Sequence, residues 1–333
     1  MSSKTALVTG ATGLLGRQVV RAFERKQWDV KGTGYSRADG SQILKVDLAN
    51  ESEIESTLDT VKPQVVIHCA ANRFPDKCDA DPSAARALNV AATGTLASRC
   101  AARDVLLIYI STDYVFAGRP GEAPYEADAT PGPTNLYGET KLDGERAVIS
   151  EYGKGEGKGK EGLGVVLRVP VLYGDAEVPG ESAVNVLLDT VWKAQQQQQG
   201  IEGGDGGTQE KIKMDHWAKR YPTNTEDVGR VCHDIAQKYL STPAASRASL
   251  PPILQFTSED QFTKYEICQL LAEIMGLPIA GIEPNTQGNE PGAAVQRPYD
   301  THLSTRALRD LGINVSAMDF VGWWRWHVRA FRK

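Results

Sequence analysis

The chain predicts an α/β fold, a doubly wound parallel sheet followed by a smaller C-terminal lobe. Two observations carry the prediction. Short apolar runs alternate with segments of helical periodicity through the first half, the pattern of strands buried on both faces between layers of helices. The first of those runs passes into the first helical pattern through Thr9-Gly10-Ala11-Thr12-Gly13-Leu14-Leu15-Gly16, a turn that lets a helix N-terminus approach a phosphate.

Taken in order, the apolar pattern predicts strands at Thr5–Thr9, Asp29–Gly34, Ile43–Val46, Val65–Cys69, Val105–Ile110 and Gly164–Val169. Helices are expected over Leu14–Lys26, Glu51–Val61, an Ala-rich stretch Ala84–Arg103, and Asn135–Glu151. Right-handed crossovers between such strands make the doubly wound topology the economical one. Further helices are expected over Asn224–Leu240, Lys264–Met275, Ser304–Leu311 and Phe320–Phe331, joined by Pro- and Gly-rich connectors between Ser241 and Arg297. Residues 1–170 therefore read mainly as a nucleotide-binding domain and 171–333 mainly as a smaller, partly interleaved lobe. Residues 153–164 (Gly/Lys/Glu) and 195–210 (polyglutamine into Gly-Gly-Asp-Gly-Gly) read as low-complexity surface insertions. They offer too little apolar area to offset ordering entropy, so mobile loops without chemistry are expected.

At 333 residues, 41% hydrophobic and 24% charged, the composition is that of a soluble globular protein. A net charge of −5 offers no footprint for nucleic acid or an anionic membrane, and no apolar run reaches the ~20 residues that span a bilayer. A strand begins almost at Met1, which leaves no room for a secretory signal. The five cysteines (Cys69, Cys78, Cys100, Cys232, Cys268) are odd in number and widely spaced, as expected of reduced thiols in a cytoplasmic protein.

Within the glycine loop, Gly10 suits the tight turn, Gly13 the approach of backbone amides to a pyrophosphate, and Gly16 the close packing of helix on strand. The G-x-x-G-x-x-G spacing is one residue longer than the G-x-G-x-x-G fingerprint. The second strand ends in Gly34-Tyr35-Ser36-Arg37, with no acid before Asp39 to meet a free ribose 2′-hydroxyl. A hydroxyl followed by a guanidinium suits a 2′-phosphate, so NADP is expected in preference to NAD; Arg37 also reads as a solvated surface charge.

Tyr137 and Lys141, four residues apart on a predicted helix, share one face. A neighbouring ammonium and a positive nicotinamide ring would lower the phenol pKa from its usual ~10. Thr112, in Ser111-Thr112-Asp113-Tyr114, follows the fifth strand at the carboxyl edge, where doubly wound sheets bind ligands. It is placed to hold a substrate carbonyl beside Tyr137. No second ligand stands at metal spacing from His216, so no metal is expected. Arg297 suits a nucleotide-sugar phosphate or a structural salt bridge. Asn89 suits bracing of the site backbone or an ordinary polar position. Trp323, Trp324 and Trp326 suit core packing or an interface.

These motifs identify a family. The glycine loop, Ser111-Thr112-Asp113-Tyr114-Val115-Phe116 and Tyr137-Gly138-Glu139-Thr140-Lys141-Leu142-Asp143-Gly144-Glu145 resemble the dTDP-4-dehydrorhamnose reductase branch of the extended short-chain dehydrogenases/reductases, a Rossmann fold. That branch reduces nucleotide-linked 4-keto sugars with NAD(P)H. Ile67-His68-Cys69-Ala70-Ala71, Met214-Asp215-His216-Trp217, Arg220-Tyr221-Pro222-Thr223, Thr263-Lys264-Tyr265-Glu266 and Gln296-Arg297-Pro298 resemble more closely the regulatory β subunits of methionine adenosyltransferase. Those subunits bind NADP and modulate S-adenosylmethionine synthesis through the catalytic subunit. The resemblance implies a Thr112, Tyr137 and Lys141 triad. It implies NADP contacts from Thr12, Gly13, Leu14, Leu15, Tyr35, Ser36, Arg37, Asp47, Leu48, Cys69, Arg73, Tyr137, Lys141 and Leu172, beside Gly10 and Gly16. The implied partner is the catalytic subunit; a nucleotide-sugar substrate is the alternative. The family's best-known member docks through a C-terminal tail. With the chain ending at Ala330-Phe331-Arg332-Lys333, docking through such a tail is not expected here.

Overall fold

The computed structural model describes residues 4–154, 162–199, 211–289, 292 and 295–329. The first half runs β1 (Thr5–Thr9), α1 (Leu14–Glu24), β2 (Asp29–Gly34), β3 (Ile43–Lys45), α2 (Glu51–Val61), β4 (Val65–His68), α3 (Pro75–Ala80), α4 (Pro82–Arg86), a π-helical turn (Ala87–Ala92), α5 (Thr93–Ala102), β5 (Leu106–Thr112) and α6 (Leu136–Gly153). The second half runs β6 (Gly164–Val169), β7 (Leu172–Tyr173), α7 (Val186–Gln199), β8 (Ile212–Asp215), β9 (Thr223–Asn224), α8 (Thr225–Ser241), α9 (Ala244–Arg247), β10 (Ile253–Gln255), α10 (Lys264–Met275), β11 (Ile282–Asn285), α11 (Arg306–Asp310) and α12 (Phe320–His327).

Seven strands form one parallel sheet in the order β10-β6-β5-β4-β1-β2-β3. The α/β doubly wound class expected from the alternating pattern is the one observed. β4, β5 and β6 are buried along their whole length, which is why they read as continuous apolar runs rather than as alternating ones. On one side α1 packs along α8, and on the other α2, α5 and α6 pack in a row. The main core takes Val228, Val231 and Ile235 of α8 and Leu254 of β10 into the same cluster as β1, β4, β5 and β6. A second core cluster gathers Tyr173, Val191, Leu271, Phe320, Trp323 and Trp324.

Trp323 and Trp324 are thus core residues, whereas Trp326 is 65% exposed. Capping fixes the lobe helices locally. Thr263 and Glu266 form a reciprocal capping box at the start of α10, and Gly276 closes its end in the left-handed conformation.

Three expectations need correction. The stretch 195–210 is not a loop from its first residue: α7 continues to Gln199, and the Gln195 amide donates to the carbonyls of Val191 and Pro278 at 3.2 and 2.8 Å. The remainder, 200–210, lies outside the described residues, as do 155–161 of the first insertion. The single helix expected over Ala84–Arg103 is interrupted by the π-helical turn. Finally, β5 runs past Ile110 to Thr112, because Ser111 and Thr112 pair with Arg168 and Val169 of β6.

None of the described helices is long and apolar enough to cross a membrane. All five cysteines are free.

Candidate functional site

Strand order reverses between β1 and β4, and a cleft of about 810 Å³ opens there at the carboxyl ends of the strands. Ligand pockets typically span ~300–1,000 Å³ and favour this switch point. The cleft brings together the triad and cofactor residues that the motifs and the resemblance implied. Gly10, Thr12, Gly13, Leu14, Leu15 and Gly16 line one wall; Tyr35, Ser36, Arg37, Asp47 and Leu48 line the edge beyond β2 and β3. Cys69, Arg73, Thr112, Tyr137, Lys141 and Leu172 complete it.

The loop has the form a dinucleotide needs. Gly10 has φ +66°, and a Cβ there would lie 2.8 Å from the Ala70 nitrogen. At Gly16 a Cβ would lie 2.1 Å from the Gly10 carbonyl oxygen, so the first turn of α1 can lie on the loop only with glycine. Gly13 caps α1 without any side-chain hydrogen bond, and no acidic residue stands in the first turn. The positive end of that helix therefore faces the cleft with its amides uncompeted. Arg17 fixes the loop from behind, donating to the Thr12 carbonyl at 2.7 Å and pairing with Glu181 at 2.6 Å. These residues fit a nicotinamide dinucleotide.

The triad sits at the opposite end of the cleft. The Asn135 side chain caps α6 by accepting from the Gly138 amide at 3.0 Å. A Cβ at Gly138 would lie 2.2 Å from the Tyr114 carbonyl oxygen. That close approach seats Tyr137 beside Thr112 and Tyr114, whose ring lies 6.1 Å from the Tyr137 ring. Lys141 is 2% exposed, donates to the Ile110 carbonyl at 2.7 Å and lies 4.0 Å above the Tyr109 ring.

Burial acts on both members of the Tyr137–Lys141 pair. Burial pushes Tyr137 above its usual value, although its hydrogen bond with Thr112 acts the other way. Burial also brings Lys141 down to about 7, against the pull of Glu145. The Lys141 ammonium is turned to the Ile110 carbonyl, and burial is the larger influence on the phenol.

Sequence reasoning missed the layer behind the triad. Glu145, one turn beyond Lys141, accepts from Ser111 Oγ at 2.5 Å and from Arg168 at 2.9 and 2.7 Å. Spacing of i, i+4, i+8 with Tyr137 and Lys141 was the signal that pointed to it. His68 bridges Thr9 and Thr93 at 2.6 and 3.0 Å, and burial holds it neutral, down to about 3.

Asn89 braces the site backbone: it accepts from the Asn72 amide at 2.8 Å and donates to the Asn72 carbonyl at 2.9 Å and Thr140 at 3.0 Å. The π-helical turn, a device frequent at functional sites, sets it there. Asn89→Ala leaves those buried groups unsatisfied and is expected to cost about 1–3 kcal/mol. A thermal midpoint equal to that of the wild type would contradict this bracing role.

In the lobe half of the cleft stand Arg220, Lys264 and Arg297. Burial, then Arg220 and Arg297, bring Lys264 down to about 8. Arg297 is held across the mouth by Asp76 at 3.1 Å. His216 bonds Thr263 at 2.8 Å, and among the described residues no cluster of three or more metal-type ligands exists.

Fold and cleft together define a Rossmann-type dinucleotide-binding protein of the extended reductase class. The chain belongs to the RmlD substrate binding domain family, whose profile matches residues 4–319. Within that family it is 39% identical to methionine adenosyltransferase 2 subunit beta of Xenopus tropicalis, over 93% of this chain and 83% of the relative. The Danio rerio protein of the same name is also 39% identical, over 95% and 88%. The dTDP-4-dehydrorhamnose reductase of Mycolicibacterium smegmatis is 40% identical but over 43% of this chain and 41% of its own. Among solved structures, dTDP-4-dehydrorhamnose reductase from Bacillus anthracis in complex with NADP aligns over 99% of both chains, with TM-score 0.73 and 21% identity. UDP-glucose 4-epimerase from Thermus thermophilus in complex with NAD aligns over 98% of both, with TM-score 0.74 and 20% identity. These two share the fold. Both parts of the resemblance drawn from the motifs hold.

Proposed function

We propose that this chain is an NADP-binding regulatory subunit of methionine adenosyltransferase, which associates with the catalytic subunit and modulates S-adenosylmethionine synthesis. The observation that carries the reading is the near full-length likeness to relatives named as that enzyme's subunit beta. NADP rather than NAD is favoured because Ser36 and Arg37 line the cleft where β2 ends and no acid precedes Asp39. Gly10 to Gly16 with the N-terminus of α1 would hold the pyrophosphate; Asp47, Leu48, Cys69, Arg73 and Leu172 would line the rest. Five free cysteines suit a reducing compartment, and we place the complex in the cytoplasm. Co-purification from the native cell tests the assignment: recovery of the catalytic subunit supports it, and its absence counts against it.

Two observations favour a second reading, an NADPH-dependent reductase of a nucleotide-linked 4-keto sugar. Tyr137 stands in hydrogen-bond contact with Thr112, where a proton donor to a carbonyl would stand, and Arg220, Lys264 and Arg297 form a cationic wall suited to a diphosphate. A reduced nicotinamide would supply the hydride. Under this reading Tyr137→Phe lowers NADPH oxidation by dTDP-4-keto sugars at least 100-fold and leaves NADPH affinity within about threefold. Under the regulatory reading the wild type shows no turnover while binding the cofactor.

A further inference from the structure

A cofactor without a 2′-phosphate is usually recognised by an acid at the end of the second strand, and none precedes Asp39 here. The fold brings acids from elsewhere in the chain to the side chain of Arg37, just past the end of that strand. Arg37 Nη1 donates to Glu177 Oε2 at 2.6 Å and lies 3.4 Å from Glu181 Oε1, across sequence separations of 140 and 144 residues. The segment carrying these acids is fastened to the cofactor loop. Glu181 holds Arg17 at 2.6 Å and accepts the Glu177 amide at 3.0 Å, and its carbonyl accepts from Arg73. Asp175 pairs with Arg21 of α1 at 3.0 Å.

Glu181, with a side chain 9% exposed, is the anchor of this strap. Glu177, 56% exposed, has Arg37 as its near partner, with Arg17 at 3.5 Å.

We propose that Glu177 is a cofactor-selectivity residue, a carboxylate that competes with a 2′-phosphate for Arg37 and accepts a hydrogen bond from a free 2′-hydroxyl. The proposal rests on reading the cleft as a dinucleotide site. A guanidinium already engaged by a carboxylate must exchange that partner for the incoming phosphate. The exchange reduces the advantage that Arg37 gives to NADP. The same carboxylate provides what NAD recognition needs. Selectivity for NADP is therefore narrower than the end of β2 alone implies. Both side chains are about half exposed, so the pair is worth no more than about fivefold in an equilibrium constant.

The test is titration of the full chain with NADPH and NADH, read by nicotinamide fluorescence, for wild type, Glu177→Gln and Asp175→Asn. Glu177→Gln is expected to tighten NADPH about threefold and weaken NADH about threefold, moving their ratio about tenfold. Asp175→Asn, which removes a neighbouring charge paired with Arg21 instead, is expected to leave the ratio unchanged. A wild type that binds NADPH, with a Glu177→Gln ratio shifted less than twofold, overturns the proposal and leaves the dinucleotide reading intact. An equal shift in Asp175→Asn overturns it as well, because general charge then accounts for the effect. A wild type that binds neither cofactor overturns the dinucleotide reading and this proposal with it.

Discussion

Gly16→Val is expected to abolish dinucleotide binding and to lower stability by about 3 kcal/mol. A Cβ at this position would lie 2.1 Å from the Gly10 carbonyl oxygen and 2.8 Å from Ala11 Cα. Both neighbours are backbone, so relief requires α1 to move away from β1. That movement removes the helix N-terminus from the place where it meets a pyrophosphate. Fluorescence titration with NADPH and a denaturation curve read the two effects together. Gly13→Ala separates them: its Cβ would come no nearer than 3.3 Å to the Gly10 oxygen. Its stability should change by less than about 1 kcal/mol, while a methyl group facing the cleft weakens NADPH at least tenfold. A Gly16→Val protein that still binds NADPH like the wild type would contradict the assigned role of the loop.

Glu145→Ala is expected to be the most damaging substitution outside the loop, at about 3–5 kcal/mol. Arg168 and Glu145 are each 1% exposed. Removing the carboxylate leaves a buried guanidinium with the Ala127 carbonyl and the Gln255 side chain at 3.1 and 3.3 Å, and no countercharge among its described partners. The uncompensated charge, more than the lost attraction, sets the cost. Glu145→Leu combined with Arg168→Met should therefore recover most of the loss, whereas the single variant does not. Urea denaturation midpoints decide it: a single variant within 1 kcal/mol of wild type would refute the account of this layer. Because Glu145 acts on Lys141 and Ser111 from behind, the single variant should also disturb the end of the cleft that holds Tyr137.

The sequence made legible what local patterning controls. β1, β2, β6, α2 and α10 lie where periodicity placed them, since each is bounded by a glycine, a cap or a sharp change from apolar to polar residues. The glycine loop and the Tyr137–Lys141 pair were legible for the same reason: their chemistry depends on short spacings.

What escaped depended on distant partners. Ser111 and Thr112 look like the end of an apolar run, and only their pairing with β6 and the Glu145 acceptor makes them strand. β10 is a three-residue strand at the sheet edge, too short for periodicity to separate from the connectors around it. The π-helical turn at Asn89 leaves the Ala-rich periodicity almost unbroken. Nothing near Arg37 announces Glu177, because the two meet only when the segment after β7 folds against the Arg37 side chain. Burial of Tyr137, the larger effect on its phenol, was not legible either, because spacing reports neighbours and not burial.

The central claim is that a dinucleotide-binding reductase fold here serves a partner enzyme. Sedimentation velocity of the purified chain with the methionine adenosyltransferase catalytic subunit, followed by the rate of S-adenosylmethionine formation in the same mixture, tests it most directly. The account predicts a complex heavier than either protein alone and a changed rate of synthesis. Two independently sedimenting species and an unaltered rate would contradict it.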